Sequence, residues 1–182
     1  LVVAGLHLSN FDLILQWMCV SGMKAMILTL PDPQGARRME YERRRRDGMN
    51  LVPATVGGFR EAVRYLRQGG LVVTGIDRPI PDPPARPCFF GRPAALPIHY
   101  TFLAMKASVP IRVIAPMRLP DGSYHVSSSN LIEMDASVNR EAGALHNAER
   151  VLSIAEQVIR PVPEQWAVPL PVWPDLLPAV PA

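Results

Sequence analysis

The chain has 182 residues, 48% of them hydrophobic and 19% charged, with a net charge of +3. That length is one domain at ~100–200 residues per domain, and the composition excludes an intrinsically disordered chain, which would be poor in apolar residues. Twenty prolines without a period exclude collagen, and all but Lys24 and Lys106 of the 19 basic residues are arginine, the side chain suited to planar two-point contact with phosphate or carboxylate.

Leu1–Ala4 is an apolar run ending at Gly5, which predicts a buried strand. A chain that opens in mid-strand is expected to have lost a preceding segment. A helix is predicted from Ser9 to about Val20 and a strand over Lys24–Leu30. The charged stretch Ala36–Asp47 reads as a helix closed by Gly48, and Asn50–Ala54 as a strand. Thr55 caps a helix in which Phe59, Ala62, Val63 and Leu66 recur at helical spacing. Leu71–Ile76 is a strand of β-branched residues, followed by a proline-rich loop from Asp77 to Pro97. Ile98–Ala107 is helical, Pro110–Arg118 and Tyr124–Ser129 flank a hairpin turn at Pro120–Ser123, and Asn139–Arg160 is a long amphipathic helix. Pro161–Ala182 reads as irregular. Strands alternating with helices predict an α/β layered sandwich with a mixed, largely parallel central sheet flanked by helices.

Cys19 and Cys88 make neither a disulfide framework nor a zinc pattern, which points to a reducing compartment. No metal site is expected, because His99, His125 and His146 read as structural and lack ligand partners at useful spacing. No apolar run reaches the ~18 residues of a transmembrane helix.

Two strand exits carry the candidate chemistry. In Gly5-Leu-His-Leu-Ser-Asn-Phe-Asp12, His7 follows a strand and Asp12 lies one turn into the next helix. A carboxylate there can accept the imidazole N–H, fix its tautomer and leave the other nitrogen as a base. The competing reading is a capping box, Ser9-x-x-Asp12, which needs no catalysis. At the second exit, Asp77 and Arg78 follow Thr74-Gly75-Ile76; an ordinary turn with a surface ion pair explains them equally well. In the loop beyond, Phe89-Phe90-Gly91 sets two aromatics beside a glycine, either plugging the core or walling an apolar channel. The arginine run Arg43–Arg46 is a solvated face, or a surface for anionic lipid or an acidic carrier. Nucleic acid is not expected as a partner, since no binding module is recognisable.

Together these segments resemble the lysophospholipid acyltransferase superfamily, in particular the bacterial lipid A biosynthesis acyltransferase branch. His7-Leu-Ser-Asn-Phe-Asp12 is similar to that family's His-x4-Asp/Glu motif. Arg46 before Gly48-Met-Asn-Leu-Val-Pro53 resembles the arginine of its second motif, with the choice among Arg43 to Arg46 open. Asp77 with Arg78 resembles the third-motif acid, and Pro87-Cys-Phe-Phe-Gly91 the segment after it. Pro116 fits a fourth block, and Pro163-Glu-Gln-Trp166 a C-terminal signature.

The resemblance implies an acyltransferase domain over residues 1–174, preceded in such proteins by a membrane helix, with an irregular tail at 175–182. It implies transfer of a fatty acyl group from an acyl-carrier protein or coenzyme A thioester to a lipid hydroxyl, without metal or other cofactor, at the cytoplasmic face of the inner membrane. His7 is then the general base and Asp12 its orienting acid. Arg46 and Arg78 bind phosphate, Asp77 positions Arg78 or a hydroxyl, and Phe89, Phe90 and Gly91 meet the acyl chain. Where the family commonly continues into a basic segment, this chain runs Ala167-Val-Pro-Leu-Pro, so the acceptor is read as a glycolipid or phospholipid. Two rival readings remain: a lipid-binding or membrane-docking domain without turnover, and a serine hydrolase using Ser9. The second lacks a Gly-x-Ser-x-Gly elbow.

Overall fold

The computed structural model describes residues 1–135 and 140–175. Strand β1 (Val2–Gly5) lies inside a six-stranded sheet. It pairs in parallel with β4 (Leu71–Gly75) on one side and with β7 (Ile111–Arg118) on the other. Beyond β4 come β2 (Ala25–Thr29) and β3 (Asn50–Pro53), also parallel. At the far edge β8 (Tyr124–Ser128) runs antiparallel to β7, so the order is β3-β2-β4-β1-β7-β8. This is the mixed, largely parallel α/β sandwich that the sequence pattern predicts.

The strands are apolar on both sides because both sides are covered. Val3, Ile27, Leu51 and Val73 point to one face, where Ile14 and Met18 of helix α1 (Phe11–Val20) and Tyr41 of α2 (Ala36–Arg46) pack on them. Their neighbours Val2, Met26, Val52 and Val72 point to the other face, as period-two alternation requires. There they meet α3 (Val56–Arg67), α4 (His99–Ala107) and α5 (Arg140–Ile159) through Leu66, Leu103 and Leu152. Each such aliphatic side chain contributes roughly 1.5–3 kcal/mol on burial. Thr55 caps α3 as predicted, its Oγ1 accepting from Gly58 N at 3.2 Å. A Cβ on Gly58 would fall 2.0 Å from Pro53 O, so the helix can seat there only with glycine.

Connectivity opens a crevice. The connection leaving β1 crosses one face as α1, toward β2. The connection leaving its neighbour β4 crosses the other face as α4, toward β7. The loops after β1 and β4 therefore diverge, and ligand sites of parallel α/β sheets form at such points.

Three local expectations are corrected. Ser9 does not cap α1: it holds a left-handed φ of 47°, and Asn10 caps instead, its side chain accepting from Leu13 N at 3.3 Å. The Ser9 N–H is drawn away by Gln165 O at 2.7 Å, a partner no local pattern could reveal. The loop after β4 is not wholly irregular. Cys88–Phe89 (β5) and Arg92–Pro93 (β6) form a hairpin turned by Phe90 and Gly91, with φ of 50° and 74°. The proline-rich end begins with a 3₁₀ turn at Pro163–Gln165. Asn139, the expected start of the long helix, and 176–182 of the expected tail lie outside the described residues.

Candidate active site

Parallel register builds the centre. Gly5 of β1 pairs with Gly75 of β4, so two residues further on His7 and Asp77 emerge side by side. Nδ1 of His7 lies 2.6 Å from Asp77 Oδ1, and the backbone N–H of His7 donates to Asp77 Oδ2 at 2.8 Å. Trp166 Nε1 donates to that same Oδ2 at 2.9 Å. Asp77 is fully buried, and these donors replace the water it has lost. A carboxylate on Nδ1 selects the tautomer with its proton there, which leaves Nε2 as the basic nitrogen. His7 stays 19% exposed through its side chain, and Nε2 has no protein partner among the described residues. The imidazole lies so close over Gly75 that a Cβ there would stand 2.7 Å from His7 Cε1. Phe11 supports the ring edge-on at 4.6 Å between centroids.

The C-terminal Pro-Glu-Gln-Trp segment locks this loop. Ala167 N donates to His7 O at 2.8 Å, opposite the Ser9–Gln165 bond. Gln165 grips the end of β7 from both sides, Oε1 accepting from Arg118 N at 2.8 Å and Nε2 donating to Arg118 O at 3.0 Å. Trp166 then packs among Phe89, Phe90 and Trp173.

The pairing expected from the sequence is therefore corrected. His7 takes its carboxylate from Asp77, and Asp12 accepts instead from Arg44 Nη2 at 2.5 Å. Arg44 also reaches Glu40 Oε1 at 2.6 Å and lies over the rings of Tyr41 and Phe11. Arg44 is buried, whereas Arg46, the residue expected at the site, is exposed. Helical phase explains the shift: Arg44 shares a face with Glu40 and buried Tyr41, and two residues further round the helix turns to solvent. Burial raises the Glu40 carboxyl above its usual range; Arg44 opposes that and Asp12 reinforces it.

His7, Gly75, Arg44 and Arg78 line one cleft of about 210 Å³. Its lining combines the aliphatic Ile14, Met18, Ile27, Val73 and Ile114 with the charged Arg37, Glu40, Arg44 and Arg78. Burial lowers the Arg78 guanidinium below its usual pKa, and the like charge of Arg37 adds to this. Pro116, placed by the sequence in a fourth block, also lines the cleft.

Phe89, Phe90 and Gly91 do not line it. Phe89 is fully buried against Phe90, Trp166 and Trp173, so the aromatic pair plugs the core. Phe90 N donates to Glu156 Oε1 at 2.7 Å, which ties the hairpin to α5. No contact among the described residues joins the Ser9 hydroxyl to His7.

Sequence reasoning missed the site roles of Trp166 and His99, and its open choice among Arg43 to Arg46 falls on Arg44. His99 lines the cleft, bonded through Nε2 to Thr74 Oγ1 at 2.9 Å, and burial lowers its pKa to about 4. Buried Tyr41, three residues before Arg44, was the signal that could have set the helix phase. Among the described residues no group of three or more His, Cys, Asp or Glu could hold a metal ion, and no helix is long and apolar enough to cross a membrane.

The family model described as bacterial lipid A biosynthesis acyltransferase matches residues 1–173. No curated protein matches the chain.

Proposed function

The chain belongs to the bacterial lipid A biosynthesis acyltransferase family, and from that premise we propose that it moves a fatty acyl group from an acyl thioester to a hydroxyl of a glycolipid or phospholipid, with His7 as general base. The donor is an acyl-carrier protein or coenzyme A thioester, used without metal or other cofactor. The observation that carries this reading is the Asp77–His7 contact behind an apolar-walled cleft that His7 lines, with Nε2 free of any partner among the described residues.

Nε2 of His7 takes the proton of the acceptor hydroxyl as its oxygen attacks the thioester carbonyl. The tetrahedral intermediate expels the thiolate, which takes the proton back from the imidazolium, and no acyl-enzyme forms. Asp77 fixes the tautomer and stabilises the imidazolium. General-base assistance of this kind contributes ~10²–10⁴-fold. The acyl chain lies along Ile14, Met18 and Ile27, where each buried methylene contributes about 0.8 kcal/mol. Arg37 and Arg78, which line the cleft, hold phosphate of the donor or acceptor.

A place at a membrane surface, which the family resemblance puts at the cytoplasmic face of the inner membrane, is supported by the exposed Leu13, Trp17 (56%) and Val20 (89%) of α1 and the exposed Arg43, Arg45 and Arg46 of α2. The same surface supports the second reading, a lipid-docking domain without turnover. Transfer of labelled acyl groups to lipid acceptors in vesicles separates the two. His7→Ala abolishes transfer in a folded protein if the first reading holds. Vesicle binding with no transfer by the unaltered protein would leave only the second.

A further inference from the structure

We propose that His99 binds the carbonyl oxygen of the acyl thioester through an uncharged Nδ1–H directed into the cleft. The inference rests on the acyl-transfer reading and adds a second imidazole to that site.

His99 opens α4, with its ring against Phe59 and Tyr100 and its remaining surface on the cleft. Its Nε2 lies 2.9 Å from Thr74 Oγ1. The Thr74 hydroxyl has one other acceptor, Gly75 O, at a much poorer 3.5 Å. We assign the hydroxyl as donor in the shorter contact, to Nε2, which puts the ring proton on Nδ1. Nδ1 has no partner among the described residues, yet it is not sealed away: among those residues the buried side-chain nitrogens and oxygens without partners are Arg44 Nε and Arg112 Nε. It is thus a donor open to the cavity. Burial keeps the ring neutral, so the donor carries no charge that would favour phosphate over a carbonyl oxygen.

Position selects the acceptor. Thr74 and Gly75 are consecutive in β4 and present opposite faces; His99 bonds to the first and His7 lies over the second. Both imidazoles line the same cleft at the end of one strand. The thioester carbonyl is the donor group that must meet a hydroxyl activated at His7. A fixed neutral N–H suits its oxygen, on which negative charge grows as the tetrahedral intermediate forms.

Two unreactive donor analogues test the proposal by calorimetry. S-(2-oxododecyl)-coenzyme A keeps a carbonyl that cannot be cleaved, and S-dodecyl-coenzyme A lacks it. The unaltered protein binds the ketone about threefold to tenfold more tightly, the range of one neutral hydrogen bond. His99→Gln, whose amide mimics Nε2 only, erases that preference. His99→Asn, whose amide nitrogen falls near Nδ1, retains part of it; a purely structural role would favour glutamine instead. Thr74→Val frees the tautomer and narrows the preference by a route that does not depend on His99→Gln folding. An unchanged preference in His99→Gln overturns the inference and leaves the transfer reading intact. Failure of both analogues to bind the unaltered protein, whether carried on coenzyme A or on acyl-carrier protein, overturns the thioester reading and this inference with it.

Discussion

His7 and Asp77 stand at the same offset, two residues beyond glycines that are paired in register, and so two loops separated by 70 residues of chain deliver an imidazole nitrogen and a carboxylate oxygen to within 2.6 Å. Asp77→Asn preserves the shape and replaces the acceptor with an amide that no longer selects the same tautomer. Transfer falls by on the order of 10³–10⁴. Asp12→Asn disturbs Arg44 and Glu40 rather than His7, and costs less than about tenfold. Labelled-acyl assays on the two variants check this; equal losses would return the orienting role to Asp12.

Trp166→Phe keeps the aromatic packing and removes the indole N–H from Asp77 Oδ2. A buried carboxylate short of one donor costs about 1–3 kcal/mol, read as a lower urea midpoint, with a severalfold fall in kcat. A midpoint equal to that of the parent protein would show that the indole serves packing alone.

Much of the fold was legible because its signals are local. The valines of Val2-Val3 and Val72-Val73 mark strands buried on both faces, and Thr55 announces its helix through its own hydroxyl. Both members of the His7–Asp77 pair were also visible as strand exits. Their partnership was not, because it depends on register between strands, and Ser9-x-x-Asp12 offered a nearer carboxylate with a plausible local geometry. The phase of α2 was illegible for the same kind of reason: four consecutive arginines carry no periodicity, and only the burial of Tyr41 decides which one turns inward. For Phe89 and Phe90 the sequence left plug and wall open, and the two tryptophans that decide it lie 76 to 84 residues away.

Arg44 and Arg46 differ in their surroundings, and substitution separates them. Arg44→Ala leaves Asp12 and Glu40 without their shared cation, and costs about 1–3 kcal/mol once the partial exposure of both carboxylates is allowed for. Arg46→Ala changes stability by less than about 0.5 kcal/mol. Thermal or urea unfolding of the two variants measures the difference, and equal effects would mean that α2 is rotated from the arrangement described.

The low pKa of His99 gives stability a defined pH slope. Its folded value of about 4 lies below the usual value of 6.5, so the unfolded chain takes up the proton first. The contribution is whole above pH ~6.5 and is lost as pH falls toward 4, to a limit of roughly 3 kcal/mol. His99→Gln lacks this slope. Its deficit in urea midpoint relative to the parent protein shrinks between pH 7 and pH 4.5, and a constant deficit would place a charged imidazole in the folded state.

The clamp formed by Gln165, Trp166 and Ala167 on the His7 loop joins the two ends of the domain. On the ribosome, His7 leaves the exit tunnel long before Trp166, which donates to its carboxylate. Every residue from His7 to Trp166 must therefore be translated before that carboxylate has its full set of donors, so a message cut short upstream of Trp166 yields a chain whose His7 loop lacks its clamp.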